Sequence, residues 1–215
     1  MLEFFRGRCS FRQYLPNKLA KYSIKIFSLC DSIKFYTLNM EIYAGKQSDG
    51  PFKIDNSGKS IVERLVRPIC NSGRNVTMDN WFMSVSLAQE LFGKKLTIVR
   101  TLKKIFEKKN KVVTLLCTMH HTDDFDSSTG EKTKSELLTF YNHTKRGVDT
   151  VDELKESYSV SRNSCRWLMT IFYSLLNIGG INSCIILQIN TKKKMSRLNF
   201  LKELSKELCM DYMKQ

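Results

Sequence analysis

The stretch from Trp167 to Asn190 constrains the fold most, because it carries no charged side chain and is long enough to cross a lipid bilayer as a helix. Such a stretch is either a membrane helix or a helix buried in a protein core. Asn177, Asn182 and Gln188 interrupt it, together with the pair Gly179-Gly180. These polar breaks favour the second alternative. We therefore predict a long buried helix that packs against a sheet.

The rest of the chain alternates between strand-like and helix-like patterns. We predict an antiparallel opening, in which a strand over residues 1–8 pairs with strands over 21–31 and 35–43. Further strands are predicted over 75–78, 96–102, 112–117 and 137–141, and further helices over 59–66, 84–92, 147–158 and 196–213. We expect an α/β fold, in which a mixed sheet is flanked by helices and the C-terminal part is helical. One domain is placed over 1–190, and a basic helix over 191–215.

Composition narrows the class of protein. Hydrophobic residues make up 42% of the chain, which excludes a disordered chain. The formal net charge of +14 suits a nucleic-acid partner, although charge by itself does not establish one. The seven cysteines are odd in number and widely spaced, without a Cys-x-x-Cys pair, so we predict a reduced intracellular protein with neither disulfides nor structural zinc. Lysine and arginine throughout the first thirty residues argue against a secretory signal.

Two aspartates three positions apart mark the segment Tyr141–Asp152. The pattern after Gly147 is helical, so Asp149 and Asp152 are expected to share one face of the first helical turns. Acidic residues there have two interpretations. They complement the helix dipole, or they bind a divalent cation, because Mg²⁺ prefers oxygen ligands from one or two carboxylates. Spacing alone favours the dipole.

Three blocks of sequence resemble those of piggyBac-type transposases. One is Tyr141–Asp152. The second is Arg74-Asn75-Val76-Thr77-Met78-Asp79-Asn80-Trp81-Phe82, followed by Ser84, Leu87 and Ala88, and the third is Arg166-Trp167-x-Met169 with Asn177-Ile178-x-x-Ile181-Asn182-Ser183. Phe5-Arg6-Gly7-Arg8-Cys9, Pro16-Asn17-Lys18, Lys21-Tyr22 and Ile24-Lys25 fit as well. The blocks occur in the family's order and cover most of residues 4–190.

The resemblance implies a ribonuclease-H-like catalytic domain in which three aspartates gather Mg²⁺ or Mn²⁺ for phosphoryl transfer on DNA. Asp79 matches the second of these aspartates and Asp149 the third. Asp152 matches an additional acid close to the third. That acid supports the site either as a metal ligand or by orienting a ligand through a hydrogen bond. Without the family, Asp79-Asn80 would be interpreted as a plain turn or a helix cap.

The place of the family's first aspartate falls about two residues before Met1, so we expect the site to be incomplete. Glu3 is the nearest acid, but it lies about 13 Å further along an extended strand and cannot take the same position. The resemblance therefore predicts a chain that does not transpose by itself.

Four basic residues are candidates for weak DNA contacts: Lys145, Arg146, Arg162 and Arg166. The lysine-rich segment 103–111, where the family's inserted segment is shortened, contacts phosphate or is a solvated loop. His120 and His121 with Asp123, Asp124 and Asp126 suggest a metal site, but their polar surroundings favour an exposed loop.

Three functions remain open. The chain is a transposase domain with lost or truncated chemistry, a non-catalytic DNA-binding or interaction protein, or a decayed fragment. We expect DNA as partner, a possible homodimer, no membrane and no small-molecule cofactor, and a nuclear location.

Overall fold

The computed structural model describes residues 1–18, 20–82, 84–101, 115–120, 124–126, 134–192 and 194–214. Within these ranges the elements follow in the order β1 (Leu2–Phe4), β2 (Gln13–Tyr14), β3 (Tyr22–Cys30), β4 (Thr37–Ile42), α1 (Gly58–Val66), β5 (Asn75–Met78), α2 (Val85–Gly93), β6 (Thr97–Thr101), β7 (Leu115–Cys117), α3 (Glu136–Thr144), α4 (Gly147–Ser157), α5 (Trp167–Thr191) and α6 (Arg197–Met213). The predicted α/β class is confirmed. The lysine-rich segment 103–111 and residues 112–114 of a predicted strand lie outside the described residues.

The N-terminal sheet is built around β3, the longest strand of the described residues. β1, β2 and β4 all pair with β3 in the antiparallel sense. The predicted antiparallel opening is therefore confirmed. Its first strand is shorter than expected, because the ladder covers Leu2 to Phe4 and the chain turns away before Gly7.

The second sheet is mixed. β5 and β6 run parallel, and β7 pairs antiparallel with β6. Helices α1 and α2 pack on it through a core cluster that includes Val66, Leu91 and Ile98. Both helices begin where the sequence predicts, because Ser57 and Ser84 accept hydrogen bonds from the amides of Ser60 and Leu87, as helix-capping serines do.

The predicted strand over 137–141 is wrong, since these residues lie in helix α3. A five-residue apolar run does not by itself distinguish a strand from a helix. Glu136 stands in the first turn, where it complements the helix dipole. Helix α3 contacts β7 and buries no residue fully, so the apolar run covers the edge of the second sheet without joining it.

Helix α5 is the predicted long helix, and it packs against β1 and α4. The prediction that it is buried is wrong for much of its length, because apolar side chains such as Phe172, Leu175 and Ile189 are exposed. Its polar interruptions have protein partners. Asn182 accepts from the Thr37 amide and donates to the Thr37 carbonyl, and Asn177 accepts from the Val160 amide. By length and composition α5 also meets the criterion for a membrane span, with a mean hydropathy of 1.5 over its most apolar window, of which 33% is buried.

Helix α6 begins after the capping residue Ser196 and packs on α5, where Leu201 lies against Gly180. Phe200 is its buried anchor. Arg197 ties the helix to the end of α4 by donating to the carbonyls of Leu154 and Tyr158. The predicted helix over 196–213 is confirmed.

Candidate functional site

Strand β5 carries Asp79 to the edge of the second sheet. Val76 and Met78 face the core, so the backbone of the strand is held by burial up to the residue before Asp79. A 3₁₀ turn over Asn80–Phe82 follows, and the Phe82 amide donates to the Asp79 carbonyl at 3.3 Å. The side chain of Asp79 is exposed. A carboxylate at the end of a buried strand is fixed in position and open to a ligand.

Helix α4 positions Asp149. The helix begins at Gly147, which packs against the turn between β3 and β4. Asp149 stands in the first turn of the helix and is exposed. Both interpretations of Asp149 therefore agree with the structure. Its carboxylate complements the helix dipole and is also accessible to a cation.

A threonine pair joins β5 to the end of α3, just before the start of α4. Thr77 Oγ1 on β5 donates to Thr144 Oγ1 at the end of α3, at 2.7 Å. The Thr144 hydroxyl in turn donates to the Phe140 carbonyl at 2.9 Å. Because α4 begins three residues after Thr144, this bond fixes the start of α4 beside the end of β5.

Asp79 and Asp149 consequently line one cavity of about 530 Å³. Its walls are apolar side chains of β3, α1 and β5, and three basic residues also reach it, namely Lys25, Lys145 and Arg146. The structure therefore brings together the two aspartates that the sequence matched in separate blocks. We call this cavity the two-aspartate cleft.

Lys25 is the residue of the cleft that the sequence analysis did not select. It lies on β3 between the fully buried Ile24 and Ile26, and its Nζ atom sits 4.6 Å from the ring centroid of Phe27 and 4.5 Å from that of Trp81. Burial lowers the pKa of Lys25, and the negative charge of Asp79 opposes that shift. A lysine between two isoleucines of a strand was the available signal, since Lys is rarely placed on a packed face without a partner.

The four basic candidates separate into two pairs. Lys145 lines the cleft, where Nζ donates to Asn142 Oδ1 at 2.7 Å and lies 5.5 Å from the centroid of the Tyr141 ring. Arg146 lines the cleft as well and precedes the first residue of α4. Arg162 and Arg166 are exposed on the segment before α5 and do not line the cleft.

Asp152 is not among the residues that line the cleft. Its carboxylate accepts from Lys155 Nζ at 3.1 Å, and the same ammonium group donates to Glu3. Ser174 Oγ also donates to Glu3, at 2.8 Å. Burial alone would lower the pKa of Lys155, but the carboxylates of Glu3 and Asp152 outweigh it, so the pKa is raised. This buried ion pair joins β1, α4 and α5.

The carboxylates of the cleft are of the type that a divalent cation takes as ligands. Two exposed carboxylates supply the hard oxygen ligands that Mg²⁺ and Mn²⁺ prefer, with water completing the coordination sphere. Within the described ranges, no group of three or more His, Cys, Asp and Glu side chains is arranged to hold a metal ion.

The cysteines and histidines offer no second site in the described part of the chain. All seven cysteines are free thiols. Cys117 Sγ lies 3.1 Å from His120 Nδ1 and accepts from the His120 amide, so this pair closes the turn after β7. Of the predicted exposed loop over 123–134, the described residues Asp124 and Phe125 are exposed and Asp126 is half-buried. His121 and Asp123 lie outside the described residues.

Comparisons with known proteins identify the family and the fold. A family model described as Transposase IS4 matches residues 1–109 and 105–184. The structure is similar to that of a piggyBac transposase, solved by cryo-EM as a synaptic complex with hairpin DNA. The TM-score is 0.87 and the sequences are 34% identical, over 100% of this chain and 52% of the other. The chain thus spans about half the length of that solved relative.

Proposed function

The chain belongs to the family of piggyBac-type transposases, and from this premise we propose that residues 1–215 bind DNA at the two-aspartate cleft and hold one divalent cation there without cutting the DNA. The observation that carries the proposal is the convergence of Asp79 and Asp149 on one cavity with Lys25, Lys145 and Arg146. A nuclear location follows from a DNA ligand.

The charges of the cleft support a DNA ligand. A phosphodiester brings a negative charge towards two carboxylates, and this is unfavourable unless cations accompany it. Lys145 and Arg146 stand at the start of α4, beside Asp149, and supply positive charge there. The formal net charge of +14 adds a long-range attraction to the DNA backbone.

The carboxylates support one cation and no catalytic pair of ions. A divalent ion in such a site supplies Lewis-acid stabilisation of charge at phosphorus. In this chain Asp79 and Asp149 would hold it, because both carboxylates line the cleft. Asp152 and Glu3 both accept hydrogen bonds from Lys155. Two-ion phosphoryl transfer needs ligands that both ions share, and we assign Asp79 and Asp149 to a single ion.

The test is an incubation of the purified chain with end-labelled duplex DNA, with Mg²⁺ or Mn²⁺ present. We expect a retarded complex on native gels and no new fragment on denaturing gels. Asp49→Asn is the matched control, because Asp49 is on the exposed surface and pairs only with Lys53 in the described contacts. A chain that binds no DNA would contradict the proposed ligand. Metal-dependent cleavage that Asp149→Asn abolishes would contradict the absence of catalysis.

A further inference from the structure

We propose that Lys25 binds a backbone phosphate of the DNA strand that enters the two-aspartate cleft. This inference rests on the proposed function and names a residue that recognises the ligand at that same site. The resulting contact is an ion pair between an ammonium group and a phosphate oxygen, made beside Asp79 and opposite the start of α4.

The position of Lys25 on the sheet directs its side chain into the cleft. Lys25, Phe27 and Leu29 are alternate residues of β3, so their side chains lie on the same face of the strand. On this face Phe27 packs against the first turns of α1, and the neighbouring Lys25 side chain lines the cleft with Asp79. The alternate residues Ile24 and Ile26 are fully buried.

Aromatic rings position the ammonium group of Lys25 through cation–π contacts, which do not occupy its N–H donors. Nζ lies 4.6 Å from the centroid of Phe27, 4.5 Å from that of Trp81 and 6.0 Å from that of Tyr43. Such contacts attract a cation to a ring face. Within the described residues, no oxygen atom accepts a hydrogen bond from Lys25 Nζ. Its three donors therefore stay available to a ligand of the cleft.

A DNA phosphate in the cleft also needs a positive charge on the wall formed by β3. Lys145 and Arg146 neutralise the side formed by α3 and α4, where Lys145 is itself held 5.5 Å above the Tyr141 ring. Lys25 is the basic residue that β3 contributes to the opposite wall. A DNA strand lying between these walls would have a cation on each side, and each contact releases condensed counterions from DNA.

The experiment measures DNA affinity as a function of salt for the parent chain and for Lys25→Met, which keeps the length of the side chain and removes its charge. The probe is a fluorescein-labelled duplex of mixed sequence, followed by anisotropy in KCl. We expect Lys25→Met to weaken binding about tenfold at 0.1 M KCl and to make the slope of log K against log [KCl] shallower by about 0.9. Lys25→Arg should restore most of the slope.

Lys53→Met is the matched control, because Lys53 is an exposed lysine outside the cleft that pairs with Asp49. It should leave the slope unchanged. Equal slopes for Lys25→Met and the parent would overturn the inference while leaving the proposed function intact. A parent chain that binds no DNA would overturn both, and the two failures are thereby distinguishable.

A second measurement uses the parent chain alone and stays informative if Lys25→Met does not fold. Lysines are acylated with an N-hydroxysuccinimide ester in the presence and absence of the duplex, and the modified peptides are quantified by mass spectrometry. The duplex should reduce acylation of Lys25 several-fold and leave that of Lys53 unchanged. Equal acylation of Lys25 with and without saturating DNA would contradict the proposed contact.

Discussion

Replacing Lys155 with methionine is expected to lower the free energy of unfolding by about 3 to 5 kcal/mol. The side chain of Lys155 is 7% exposed and that of its partner Glu3 is 15% exposed. The substitution therefore leaves a carboxylate of β1 buried without its counter-ion, which costs far more than the loss of a surface ion pair. Because the pair joins β1 to α4 and α5, its loss should destabilise the whole domain. Urea denaturation followed by circular dichroism measures the effect.

The double variant Glu3→Gln with Lys155→Met tests the cause. Glutamine keeps an oxygen that accepts from Ser174, which donates to Glu3 at 2.8 Å in the parent. With the uncompensated charge removed, stability should return to within about 1 kcal/mol of the parent. If the double variant were as unstable as Lys155→Met alone, packing of the lysine stem and not the buried charge would explain the loss.

Substituting alanine for Gly7 is expected to destabilise the fold by about 1 to 3 kcal/mol, as other overpacking changes do. A Cβ atom at this position would stand 2.4 Å from the Cys165 carbonyl oxygen and 2.4 Å from the ring of the buried Phe5. One neighbour is backbone and the other is a core side chain, so neither moves aside easily. The contact joins the end of β1 to the segment before α5.

Gly50→Ala is the matched control for this prediction. Nothing lies within 4 Å of a Cβ atom built at Gly50, which is in an exposed turn. Its melting temperature should stay within a few degrees of the parent, whereas that of Gly7→Ala should fall clearly below it. Equal melting temperatures for the two variants would show that the N-terminal segment relaxes around the added methyl group.

The sequence predicted the elements that carry the aspartates where local signals were strong. Strand β5 agrees residue for residue with the predicted strand over 75–78, and α4 begins at Gly147 as predicted. The convergence of Asp79 and Asp149 was expected only from the family resemblance. Seventy residues separate them in the chain, and no local pattern reports the threonine contact that joins β5 to α3.

Other features depend on tertiary contacts that the sequence pattern does not contain. The apolar run over 137–141 is short enough to suit either a strand or a helix, and packing beside β7 decides for a helix. Asp152 shares a helix with Asp149 but does not line the cleft, and its carboxylate pairs with Lys155, which also donates to the distant Glu3. Aromatic contacts with Phe27 and Trp81 position the ammonium group of Lys25 in the cleft that Asp79 also lines.

The measurement that tests the central claim most directly is the number of Mn²⁺ ions bound per chain, obtained by electron paramagnetic resonance, in which free Mn²⁺ gives a sharp six-line spectrum. The parent chain should bind one ion saturably. Asp79→Asn and Asp149→Asn should each weaken that binding at least about tenfold, as the loss of a first ligand does. Asp49→Asn and Asp152→Asn should leave it unchanged. Two ions per chain, no saturable binding, or a loss on Asp152→Asn as large as on Asp149→Asn would contradict a one-cation cleft formed by Asp79 and Asp149.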